Sequence, residues 1–68
     1  MEIINAQREK SQVCLSLDEV LVLSAALNEI CNGISLFEFE TRIGTDRDSV
    51  ASLLKEVGTL IDTMQSHE

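Results

Sequence analysis

Phe37, Glu38, Glu40, Asp46 and Asp48 crowd one short stretch, "FEFETRIGTDRD", and place four carboxylates around an aromatic ring. Carboxylates gathered this way can act as acid–base pairs, hold a metal, or bind a cationic partner. Acid–base work needs two carboxylates facing one another, but Glu38 and Glu40 point to different faces of a helix. A metal site needs ligands at close paired spacing, and Cys14, Cys31 and His67 lack it. The only histidine, His67, lies beside the C-terminal residue, where solvation is expected, so neither Ser nor Cys finds a base inside the fold. The three glycines, Gly33, Gly44 and Gly58, form no phosphate-binding loop. The residue inventory therefore predicts no catalysis, no metal and no cofactor. What remains is binding.

The binding residues expected are Phe37, Glu38, Glu40, Asp46 and Asp48. Phe37 falls off the Leu36/Phe39/Ile43 face of its helix, and an exposed aromatic ringed by acids has the character of an interface anchor. The alternative is that Phe37 packs under the N-terminal segment and the acids are merely solvated. Asn28 and Glu29, on the polar strip of the preceding helix, form a second candidate pair. Their alternatives are a hydrogen bond from Asn28 to neighbouring backbone and plain solvation of Glu29.

Charge narrows the choice of partner. The chain has 68 residues and a net charge of −7. Glu2 and Glu9 are offset by Arg8 and Lys10, so the excess falls on residues 16–68, where the only cations are Arg42, Arg47 and Lys55. Such a surface repels phosphate and attracts basic proteins. Nucleic acid is therefore an unfavoured partner, and a basic protein domain a favoured one.

These residues must be positioned by a small aliphatic fold. One domain spanning 1–68 is expected, and a chain this short buries only about 60% of the surface it exposes when unfolded. Phe37 and Phe39 are the only aromatics. The start "MEIINAQREK" lacks a charged segment before an apolar run, so no export signal is expected. The longest apolar stretch, "VLVLSAAL", falls far short of the roughly 20 residues that cross a bilayer. A cytoplasmic protein with reduced, buried or half-buried thiols follows as the expectation.

The fold class predicted is α-rich (α+β): an N-terminal β-hairpin over 1–15, then a compact unit of three helices over 16–68. "QVCLSL" alternates Val13, Leu15 and Leu17 as a half-buried strand would, and "EIINAQ" with the polar "REKS" supplies the other strand and the turn. The first helix opens with a capping box, Ser16 and Glu19, and a Leu15/Val20 staple. It is expected to run to Asn32 and close on a left-handed Gly33. The second repeats the pattern with Ser35, Glu38 and an Ile34/Phe39 staple, and ends at Gly44. The third opens at Thr45 with Asp46 and Asp48 in its first turn and runs to Met64. One- or two-residue turns join them. Its apolar face, Val50, Leu53, Leu54, Val57, Leu60, Ile61 and Met64, is continuous, with Gly58 at the edge, where a neighbouring backbone is expected to come close.

The first helix is apolar over well over half its surface, so it must be covered on more than one side. The hairpin, or a second subunit forming a homodimer, is expected to supply that cover.

Two resemblances bear on function. Residues 35–57 resemble the helix-turn-helix of bacterial repressors: Gly44 matches the turn glycine, Phe39 and Ile43 the first helix, Val50 and Leu53 the second. Glu40 stands where that motif places a small residue between its helices, and a buried charge there is costly. Asp46 and Asp48 would face phosphates beside a single cation, Arg47. A DNA-binding regulator is thus the alternative function, as is a self-associating structural module. The wider pattern "LNEICNG", "FETRIG" and Leu53–Leu54 resembles small bacterial immunity proteins associated with polymorphic toxins. That resemblance implies an inhibitor, or antitoxin, that binds a cognate toxin domain directly in the producing cell's cytoplasm.

Overall fold

Leu17 to Gly33 contains the longest apolar stretch of the chain, and in the computed structural model, which describes residues 1–67, it packs chiefly against the C-terminal helix. The order is β1 (Glu2–Ala6), β2 (Ser11–Cys14), α1 (Leu17–Asn28) continued by a π-helical turn (Glu29–Gly33), α2 (Phe39–Ile43) and α3 (Arg47–Gln65). The hairpin followed by three helices is the architecture expected.

The strands pair antiparallel, Ile3 opposite Val13 and Ala6 opposite Ser11, with a bulge at Ile4. The turn closes where the polar "REK" lies, as the Gln7 N–H donates to the Lys10 carbonyl at 2.8 Å. The hairpin does not, however, cover the first helix. Every residue of both strands is exposed, Cys14 included, and the strands pack chiefly on each other. The expected half-buried alternation fails because β2 stops at Cys14. Ser16 leaves the strand to cap α1, which takes Leu15 and Leu17, both half-buried, into the helix start instead.

That cap is complete. Ser16 Oγ accepts from the Glu19 N–H at 3.1 Å, and Glu19 Oε1 accepts from the Ser16 N–H at 2.9 Å, which satisfies two of the free amides at a helix start. The other end differs from expectation. Gly33 is not left-handed; the helix widens into a π turn whose last bond runs from the Ile34 N–H to the Glu29 carbonyl at 3.0 Å. The Glu29 carboxylate lies over Gly33, so close that a Cβ there would come within 2.5 Å of it.

α2 begins later than its capping-box pattern predicts. Ser35 does not cap it; Glu38 occupies the cap position without a side-chain bond, and five residues intervene between the π turn and Phe39. A cap contributes about 1 kcal/mol, and a turn that brings Leu36 inward while burying Phe39 outweighs it. Gly44 closes α2 as expected, at φ +92°. α3 is capped by Asp46 rather than Thr45: Asp46 Oδ1 accepts from the Ser49 N–H at 2.7 Å.

One residue from each helix forms the centre: Val20 (1% exposed), Phe39 (9%) and Val50 (4%). Half-buried Leu27, Leu54, Val57 and Ile61 extend it along α1 and α3. No neighbouring backbone approaches Gly58, since a Cβ built there meets open space. The assembly is open for its size. Its radius of gyration is 13.6 Å, against about 11 Å for a globular chain of this length. Its accessible surface is 5560 Å² for 7.5 kDa, against about 4,250 Å² for a folded monomer of that mass.

Candidate partner-binding surface

The aromatic pair Phe37 and Phe39 separates into one outward and one inward ring, and the cause is the backbone between them. Glu38 takes the left-handed conformation, φ 53° and ψ 52°, the only non-glycine residue with positive φ among those described. That conformation is uncommon for a residue bearing a Cβ. It starts α2 immediately after a sharp turn, so Phe39 enters the core while Phe37 stays 76% exposed. The alternative of Phe37 packed under the hairpin is thereby set aside. Glu38 follows Phe37 directly and Glu40 lies two residues further on, both exposed.

Phe39 is held from above. The Arg47 guanidinium lies 4.5 Å from its ring centroid, a cation–π contact. The same guanidinium donates through Nη1 to the Cys31 carbonyl at 2.7 Å. That carbonyl belongs to the last turn of the first helix, where acceptors lack helical partners and carry negative dipole charge. One side chain thus ties α3 to α2 and to the end of the first helix. Sequence reasoning placed Arg47 only as the groove-facing cation of a helix-turn-helix. The missed signal was a lone cation one residue after a capping Asp, with a carbonyl-rich helix end nearby.

The acids divide in role. Asp46 is engaged by its cap, and the Ser49 N–H, then the Ser49 side chain, hold its carboxyl below the usual range. Asp48 is exposed in the first turn of α3. Phe37, Glu38 and Glu40 share the entry to α2 and are all exposed; Asp48 lies beyond the Gly44 turn. Asn28 ends α1 and Glu29 begins the π turn, both exposed. Asn28 Oδ1 accepts from Asn32 Nδ2 at 3.0 Å, a side-chain pair rather than the backbone bond considered for it.

Among the described residues, no group of His, Cys, Asp and Glu is arranged to hold a metal ion, and no helix is long and apolar enough to cross a membrane. Of the helix-turn-helix positions, Phe39 and Val50 are buried and Ile43 half-buried, but Leu53 is exposed. The chain matches no family model, no curated protein and no solved structure.

A second surface was legible only as surplus apolarity in the first helix. Met1, Leu15, Val22 and Leu23, rimmed by Asp18 and Glu19, line a groove of about 350 Å³ beside α1. The Met1 ammonium is ion-paired with Glu19 at its edge.

Proposed function

We propose that this chain is a small acidic, non-catalytic protein-binding protein of the immunity type, which neutralises a cognate toxin domain by direct contact in the cytoplasm. The observation that carries the reading is the exposed Phe37 ring at the entry to α2, followed by the exposed carboxylates Glu38 and Glu40. A ring presented this way offers a large, stiff apolar surface at small entropic cost, and the carboxylates after it select a basic partner. The net charge of −7 would steer a cationic toxin cleft onto it, raising the association rate more than the affinity.

The DNA-binding alternative draws less support. Arg47, the cation at the start of α3, is engaged with Phe39 and the Cys31 carbonyl, which leaves Asp48 to face phosphate.

The test is co-expression with the variable C-terminal domain of the open reading frame that neighbours this gene. Wild type is expected to restore growth, and Phe37→Ala and Glu38→Lys to lose protection while keeping the wild-type circular dichroism. Full protection by both variants would overturn the reading.

A further inference from the structure

α1 is apolar over well over half its surface but packed on one side. Val20 faces α3, with Leu17, Ser24 and Leu27 half-buried on the same side. At 3.6 residues per turn, Asp18, Val22, Ala25, Ala26 and Glu29 lie on the opposite side. All five are exposed, Val22 at 67%. The centre of that face is apolar and its ends are charged, the composition of an interface core with a polar rim. The groove lined by Met1, Leu15, Val22 and Leu23 continues it toward the hairpin, whose Ile3, Ile4 and Val13 are also exposed.

We propose that a second copy of this chain covers this face, giving a two-fold dimer in which the α1 helices cross antiparallel. Area selects the occupant. The accessible surface exceeds that of a folded monomer of 7.5 kDa by about 1,300 Å², and a standard interface covers about 800 Å² on each partner. That surplus is shared by the outer side of α1 and the hairpin beside it, and it is of the size one partner of a dimer covers. The need is also permanent: three buried side chains, of which Val20 alone is fully enclosed, are a thin core for a chain this short, and only another copy is present wherever the chain is. About a two-fold axis the apolar centre of the face meets its own copy, while the acidic ends of the two copies, Asp18 and Glu19 of one and Glu29 of the other, come near each other. With the axis between Val22 and Ala26, Val22 of each copy seats on Ala26 of the other, where small residues let the helices approach within about 8–10 Å.

Charge gives this dimer a signature opposite to that of the Phe37 surface. Two chains of −7 each repel, so screening, with a Debye length falling from about 10 Å at 0.1 M salt to 3 Å at 1 M, tightens the dimer. The same salt weakens a complex with a basic toxin domain. The surfaces are distinct, so either reading can fail alone.

Sedimentation velocity of the full chain decides it. Wild type at about 50 μM is expected at twice 7.5 kDa, with the dimer fraction rising with salt and the melting temperature rising with concentration. Val22→Glu is expected to lower association at least about 100-fold, whereas Ser52→Glu, the same charge on α3, leaves the dimer intact. A monomer in high salt, or a dimer unaffected by Val22→Glu, would overturn the proposal. If Val22→Glu does not fold, the wild-type melting temperature decides: a rise with concentration supports the dimer, and no change sinks it.

Discussion

The Arg47 guanidinium sits 4.5 Å above the Phe39 ring and bonds the Cys31 carbonyl, so one exposed side chain joins all three helices. A cation–π contact at an exposed site contributes about 0.5–1 kcal/mol, and a hydrogen bond from a charged group somewhat more. Arg47→Ala is expected to lower unfolding free energy by about 1–2 kcal/mol in urea titrations. Arg47→Lys should recover only part of this, because ammonium lacks the flat face and the fixed fork. A loss below about 0.3 kcal/mol for Arg47→Ala would remove the clasp from the account of the fold.

Gly58 and Gly44 should respond to alanine with opposite signs. A Cβ at Gly58 meets nothing within 4 Å, whereas Gly44 sits at φ +92°. Gly58→Ala is expected to stabilise by about 1 kcal/mol through helix propensity, and Gly44→Ala to destabilise by about 1–2 kcal/mol through left-handed strain. Thermal melts of the two variants check both signs. A destabilising Gly58→Ala would mean that something approaches that helix in solution.

Signals that act within a few residues were legible in the sequence. The Ser16/Glu19 box formed because both its partners belong to one turn, and Gly44 closed α2 for the same local reason. Signals that depend on packing were not. Ser35 and Glu38 have the same spacing as Ser16 and Glu19, yet the turn that buries Phe39 displaced them. Gly33 looked like a left-handed stop, but the π turn and the Glu29 side chain above it ended the helix another way. The alternation of Val13, Leu15 and Leu17 could not reveal that the strand breaks at Cys14. For the site, helical spacing left Phe37 open between exposure and packing under the hairpin, and what turned it outward was the left-handed Glu38, not a capped helix.

Glu38 links stability to the proposed binding. Its left-handed backbone, φ 53° and ψ 52°, costs about 1–2 kcal/mol in a residue with a Cβ, and glycine returns part of that as unfolded-state entropy. Glu38→Gly is expected to stabilise the fold by about 0.5–1 kcal/mol in urea titrations and to weaken binding of a basic partner. A variant that is less stable than wild type would show that the Glu38 side chain holds the fold, and would remove strain from the explanation of why Phe37 faces outward.

Acid should loosen the two helix starts together. The Met1 ammonium, then the Ser16 N–H, hold the Glu19 carboxyl below its ordinary value, and the Ser49 N–H does the same for Asp46. Both groups have a folded-state pKa below the unfolded one. Each therefore stabilises the fold above the ordinary carboxylate range near pH 4, and that stability is lost as pH falls through the depressed folded value. Melting temperature is expected to hold from about pH 7 to 5 and drop below about pH 4. Asp46→Asn keeps a capping oxygen without a titrating group, and Glu19→Gln likewise keeps an acceptor for the Ser16 N–H. The double variant should start lower at neutral pH and show a flatter acid limb. An acid limb as steep as that of wild type would place the acid sensitivity in other carboxylates.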